Sequence, residues 1–298
     1  MARLGDLLSR LERVLELMER ALERAVPGRP DPEAFARHLA FRWEPRAGGG
    51  GQLAAVREPS LFDLDDLVGV DAAVSRLVRN TEQFVRGLPA NHVLLYGERG
   101  TGKSSAVRGL AARFGSRGLR LVEVHKADLL HLPDVLAALR DQPYRFLLFC
   151  DDLSFDQGES WRELKAALEG SLEAPPANVR IVATSNRRHL MPEWRADAAE
   201  ARLDERGELH MGETVEEKLA LSDRFGLLLG FFGFDQATYL TIVERYARKS
   251  GLAVPRERLH GEALRFALER ASRSGRTARQ FVDDLAGRCA LGEERAER

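Results

Sequence analysis

Cysteine is nearly absent. Cys150 and Cys289 are the only two in 298 residues, too few for a disulfide framework or a cysteine-rich metal site. Cys150 lies inside an apolar run, where a thiol packs as a small hydrophobe. Seven histidines are present, but none forms an H-x-x-x-H or Cys/His cluster, which argues against structural zinc. An excess of one charge sign is lacking too. Forty-five basic residues meet 46 acidic ones for a net charge of −1, so no global field draws the chain to nucleic acid or an anionic membrane. The greasiest stretch, residues 226–234, falls far short of the roughly 20 residues a spanning helix needs. The first residues lack a signal-peptide core, since Arg3, Asp6, Arg10 and Glu12 interrupt their leucines. No nucleophile elbow stands in a strand–turn–helix context. The expectation is a reduced, cytoplasmic globular protein with no membrane attachment.

What is present is a signature for phosphate. His92 to Tyr96 form a short apolar run closed by glycine, the pattern of a buried parallel strand. Gly97-Glu98-Arg99-Gly100-Thr101-Gly102-Lys103-Ser104 then matches G-x-x-x-x-G-K-[ST] in full. Val107, Leu110, Ala111 and Phe114 follow at helical spacing. The loop's three glycines let successive backbone N–H groups converge as an anion nest. The helix that follows offers its unpaired N–H groups and positive dipole end to the same phosphates. Lys103 is placed to reach β- and γ-phosphates, and the Ser104 hydroxyl is a natural Mg²⁺ ligand.

Further along, FLLFCDD is an apolar strand that delivers Asp151 and Asp152 to the carboxyl edge of a sheet, where open α/β sheets bind ligands. Asp151 is the candidate metal ligand, through water. Asp152 is the candidate that polarises an attacking water. Asn186 closes the next strand run, Val179 to Ala183, after Thr184 and Ser185. Its neutral amide can orient water without competing for metal, or simply form a turn. Arg224 precedes a fifth apolar run, Leu227 to Phe232, as either an arginine finger or a surface ion-pair partner. Arg279 lies in the first turn of the last helix, with Thr277 and Gln280 as its capping box. It reaches back to the phosphates or stays in solvent.

Leu4, Leu8, Leu11, Leu15, Met18, Leu22 and Ala25 keep a 4-3-4-3 spacing that Pro27-Gly28 stops. The resulting helix, about 35 Å long, is an oligomerisation element or folds back on its own domain. The stripe is widened by Leu7, Val14 and Ala21, which favours folding back. Asp31 to Phe41 suggests a short helix, and Gly48 to Gly51 a flexible tether. Ser160 and Glu163 read as a capping box. Residues 187–189 read as a basic loop end and 195–213 as an exposed mixed-charge stretch. The division is therefore 1–45 helical extension, 46–60 Gly-rich linker, 61–234 core and 235–298 helical lid. Strand and helix patterns alternate through the core, which argues for a parallel sheet covered on both faces.

From about Phe62 to Leu285 these elements resemble the AAA+ superfamily of P-loop ATPases. More narrowly, LPANHVLLYGERGTGKSS (which includes Ser105), FLLFCDDLSF, ATSNRRHLMPE and EEKLALSDRFGL resemble an uncharacterised bacterial family of AAA+ ATP-binding proteins with a domain of unknown function. The resemblance implies a three-layer α/β sandwich with a five-stranded parallel sheet and a small C-terminal α-helical lid. It implies ATP and Mg²⁺ as cofactors. It names Walker A at Gly97 to Ser104, Walker B at Asp151-Asp152 and sensor 1 at Asn186. Arg224 matches the arginine finger, Arg279 matches sensor 2, and Leu67, Val68 and Val70 fall in the adenine-contacting segment. A homo-oligomer is implied, a hexameric ring being one form, that hydrolyses ATP to remodel or load an unidentified macromolecular partner. One departure matters: most of the superfamily has Asp-Glu in Walker B. Asp152 is one methylene shorter, which slows hydrolysis or calls for a partner to align the water. Helicase loaders resemble this chain in having Asp-Asp, so an ATP-operated switch acting near DNA stays open. A small-molecule kinase fits less well, because the C-terminal helical bundle with Arg279 suits an AAA+ lid better than a kinase acceptor site.

Overall fold

Short runs of Val, Leu, Ile and Phe become the strands of one sheet in the computed structural model. It describes residues 32–46, 50–153, 175–186 and 224–292, together with 13–15, 18, 164, 166–168, 202–203 and 209–210. In chain order the elements are α1 (Pro32–Arg37), β1 (Ala40–Pro45), β2 (Gly51–Ala55), α2 (Asp71–Val85) and β3 (Val93–Gly97). They continue with α3 (Lys103–Phe114), β4 (Leu119–Glu123), α4 (Leu132–Leu139), β5 (Arg145–Cys150) and β6 (Val179–Ser185). A two-residue antiparallel pair, β7 (Arg202–Leu203) and β8 (Leu209–His210), precedes β9 (Leu227–Phe231). Three helices end the described chain: α5 (Gln236–Lys249), α6 (Arg256–Glu269) and α7 (Gly275–Leu291). Among the described residues no helix is long and apolar enough to cross a membrane.

The sheet runs β2-β1-β4-β5-β6-β3-β9, and every pairing is parallel except β1 with β2. The central strands β3 and β5 read as nearly unbroken apolar runs because both faces are covered there. Leu94, Phe146 and Leu148 point into one core, under α1 and α4. Val93, Leu95, Leu147 and Phe149 point into the other, under α2 and α3. The register aligns Cys150 with Ala183, Tyr96 with Ser185 and Gly97 with Phe231. Four strands therefore finish at one edge. β3 lies between β6 and β9, yet the chain leaving it crosses to β4 on the far side of β5. That reversal opens a crevice at the carboxyl edge, a switch point where open sheets bind ligands.

Five of these strands make the expected parallel sheet, and β1 and β2 raise the count to seven. The residues read as a tether are a hairpin instead. Gly50 turns with φ 67°, and the Arg46 N–H donates to the Gly50 carbonyl at 3.1 Å. Gly51 is needed because the Trp43 indole lies across it: a Cβ there would sit 2.4 Å from the ring. The short helix ends at Arg37, since Ala40 and Phe41 already pair with β4. The leucine stripe falls outside the described residues except at 13–15 and 18, as do Ser160, Glu163 and residues 187–189. The mixed-charge stretch is described only at β7 and β8.

Helices α5–α7 enclose a third core built on Tyr239, Val243, Ala263, Phe281 and Leu285. Asp235 caps α5 by accepting the Thr238 N–H at 2.7 Å. Ser274, not Thr277, caps α7: its hydroxyl accepts the Thr277 N–H at 3.1 Å. The chain enters α7 extended at Ser274, one turn earlier than the Thr277–Gln280 pattern suggests.

Candidate nucleotide-binding site

The loop after β3 begins where only glycine fits. Gly97 has φ 126°, and a Cβ there would lie 2.0 Å from the Phe231 carbonyl oxygen. The Glu98 N–H donates to that same oxygen at 3.0 Å, so β9 fixes the loop's departure. Thr101 Oγ1 donates to the Glu98 carbonyl at 2.8 Å, which closes the loop on itself. Lys103, the first residue of α3, is 5 % exposed. Its Nζ donates to the carbonyls of Gly97 at 2.9 Å and Glu98 at 2.6 Å. Burial pushes its pKa down to about 8, although the nearby Asp152 and Asp151 pull the other way.

The ends of β5 and β6 bring the carboxylates to this loop. Ser104 Oγ donates to Asp151 Oδ1 at 2.7 Å, and Thr184 Oγ1 donates to the same oxygen at 2.5 Å. The Asp152 N–H donates to Thr184 Oγ1 at 2.9 Å. Asn186 Nδ2 donates to Asp152 Oδ1. Asp152 itself adopts φ 54°, a left-handed conformation that Asp and Asn tolerate better than most residues. A serine hydroxyl at the start of α3 and a carboxylate hydrogen-bonded to it are the hard oxygen donors that suit Mg²⁺. Among the described residues no group of three or more His, Cys, Asp or Glu could hold a metal by itself. This donor set suits Mg²⁺ bound with phosphates and water rather than in an all-protein cage.

Between this edge and the lid lies a cavity of about 620 Å³, within the range of small-molecule sites. Gly100 to Ser105, Asp151, Asp152, Thr184 and Asn186 line its polar end, while Leu67, Val68, Phe234, Ile242 and Tyr246 supply apolar wall. Val70 does not line it. As the residue preceding α2, it turns into the core with Val74 and Leu77, leaving the wall to Leu67 and Val68. Glu98 and Arg99 face a neighbouring groove beside Gly233 rather than this cavity. Arg279 and Arg276 line the cavity from the lid. Arg279 pairs with Asp283 at 2.9 Å and lies 5.6 Å over the Tyr246 ring. The lid is seated on the loop itself: the Gly275 N–H donates to the Gly100 carbonyl at 2.9 Å. Behind the cavity, Arg245 donates to the Asp65 carbonyl and Lys249 to the Asp66 carboxylate.

Arg224 is not brought to this cavity. It precedes β9, whose first residue pairs with Val93, the start of β3, whereas the loop leaves from Gly97 at the other end. A strand's length, about 13 Å at 3.3 Å per residue, separates the two edges. The residues that sequence reasoning missed are Thr184, Arg276, Phe234, Ile242 and Tyr246. The last two sit at helical core spacing, and a threonine at a strand end has no distinguishing local pattern.

A family model described as Protein of unknown function (DUF815) matches residues 36–289. No curated protein matches the chain. Among solved structures, the Thermotoga maritima RuvB Holliday junction branch migration motor superposes with TM-score 0.50 at 16% identity, covering 78% of this chain and 66% of that one. The FIGL-1 AAA domain in complex with ADP does so with TM-score 0.50 at 19% identity, covering 79% and 75%. The Aeropyrum pernix ORC1 protein in complex with DNA gives TM-score 0.51 at 16% identity, covering 77% and 61%. The chain thus spans just under two thirds of the RuvB structure's length. At these identities the likeness is one of fold.

Proposed function

The chain belongs to the family described as Protein of unknown function (DUF815) and has the fold of AAA+ P-loop ATPases, and from that premise we propose that it is an oligomeric ATPase. It binds Mg·ATP and couples hydrolysis to remodelling or loading a macromolecular partner. The observation that supports this reading best is a convergence. Lys103, Ser104, Asp151, Asp152 and Asn186, from the ends of three strands, share one cavity with the lid's arginines.

In this reading the sheet with β1 and β2 joined to it carries the catalytic site, and 235–298 is the lid. The loop's N–H groups and Lys103 hold the β- and γ-phosphates. Ser104 and Asp151 hold Mg²⁺, which when bound neutralises charge on the phosphate oxygens. Asp152 accepts the proton of the attacking water, and Asn186 keeps that carboxylate oriented. Leu67, Val68, Ile242 and Tyr246 pack the base, and Arg279 answers the triphosphate from the lid. Adenine suits the site, as the ADP complex of the FIGL-1 domain illustrates for that fold. The branch migration motor and the DNA complex of ORC1 make DNA one class of partner to test.

The test is Asp152→Asn. It should keep Mg·ATP affinity within about threefold and lower single-turnover hydrolysis by about a hundredfold or more. Hydrolysis at the wild-type rate would remove Asp152 from its role. A second reading is favoured by the short Asp152 side chain already bonded to Asn186: an ATP-operated binding switch with little basal hydrolysis, of the helicase-loader kind. A near-zero rate that DNA raises strongly would select it.

A further inference from the structure

We infer that Thr184 is a positioning residue that sets the geometry of the Asp151–Asp152 pair, an inference that rests on the Mg·ATP reading of the site. Thr184 is 2 % exposed and sits on β6 beside the end of β5. A hydroxyl has one proton and two lone pairs, and both uses are decided here. Its proton goes to Asp151 Oδ1 at 2.5 Å, because the carboxylate can only accept. Its lone pair takes the Asp152 N–H at 2.9 Å, because that group can only donate. The Thr184 carbonyl also accepts the Leu153 N–H at 2.8 Å. One residue of the neighbouring strand therefore holds three consecutive positions.

The consequences differ for the two acids. Asp151 Oδ1 is filled by Ser104 and Thr184, which leaves Oδ2 as the oxygen that would serve a bound Mg²⁺. Asp152 is held in its left-handed turn by the bond from its N–H, while Asn186 holds its carboxylate. The turn also suits aspartate better than the longer glutamate, because a short polar side chain tolerates φ > 0. Without the hydroxyl, Asp151 keeps only the Ser104 bond and Asp152 only the Asn186 bond, so both carboxylates gain freedom to move.

Thr184→Val keeps the shape and removes the hydrogen bonds, Thr184→Ser keeps the hydroxyl, and Thr184→Ala replaces valine should that variant not fold. Binding of a fluorescent ATP analogue is measured in EDTA and across a Mg²⁺ titration, alongside single-turnover rate and Tm. The expected result for valine is an affinity in EDTA within about twofold of wild type. Its half-saturating Mg²⁺ rises and its rate falls, each by about tenfold or more, the scale of a hydrogen bond to a charged group. Serine restores both to within about threefold. Three results overturn the inference: valine indistinguishable from wild type in Mg²⁺ response and rate, serine as impaired as valine, or a loss confined to Tm and EDTA affinity. Wild-type protein that binds no Mg·ATP would sink the functional reading and the inference together. Normal wild-type binding with an unaffected valine variant sinks the inference alone.

Discussion

Lys103 ties the fold to the chemistry in a way that pH exposes. An ordinary lysine titrates near 10.5, and burial here lowers the folded value to about 8. Between those values the folded protein has already released a proton that a solvated lysine would keep. A triphosphate beside Nζ favours the charged form, so binding above pH 8 must take up a proton. Mg·ATP affinity should be flat below about pH 7 and fall above pH 8, approaching roughly tenfold per pH unit. Calorimetry in buffers of different ionisation enthalpy should register that proton at about pH 8.5, and Lys103→Met should abolish it. Affinity unchanged through pH 9 would contradict the assignment. The phosphate loop was legible because its eight residues are contiguous and its three glycines all adopt positive φ, a local demand. Thr184 was not, because its role exists only where β6 lies beside β5, and the displacement of Val70 from the cavity wall likewise depends on how the chain enters α2.

At the scale of elements, the glycine-rich stretch carries the clearest lesson. Phe41 and Trp43 are buried on β1 while Arg42 and Glu44 are exposed, an alternation visible in the sequence as AFRWE. Four consecutive glycines after it read as a tether, because the contact that explains Gly51, an indole laid over its Cα, is non-local. Trp43 is 1 % exposed and packs in the core beneath α1 and α4. Trp43→Ala should therefore cost about 3–5 kcal/mol in denaturant unfolding; a loss under about 1 kcal/mol would mean that the hairpin is an appendage rather than part of the sheet. The lid was legible as three helices from their spacing, but its attachment was not. Gly275 on Gly100, and Arg245 and Lys249 on the Asp65–Asp66 turn, join residues nearly two hundred positions apart, a relation that no local pattern encodes.

At the scale of the whole molecule, the oligomer proposed above can be tested through Arg224. It sits at the edge of the sheet opposite its own phosphate loop, so it can complete a nucleotide site only in another copy. Turnover per subunit should then rise with protein concentration. Mixing Lys103→Ala with Arg224→Ala subunits should restore turnover that neither variant has alone, since some interfaces then carry one intact lysine and one intact arginine. No recovery at any mixing ratio would argue against action in trans. In the proposed function the loop around Lys103 grips a triphosphate, and titration calorimetry of the protein with Mg·ATP measures that directly. Saturable binding by wild type that Lys103→Ala loses, with both proteins equally folded by circular dichroism, is the predicted result. Folded wild-type protein that gives no binding heat at any of several temperatures would contradict it.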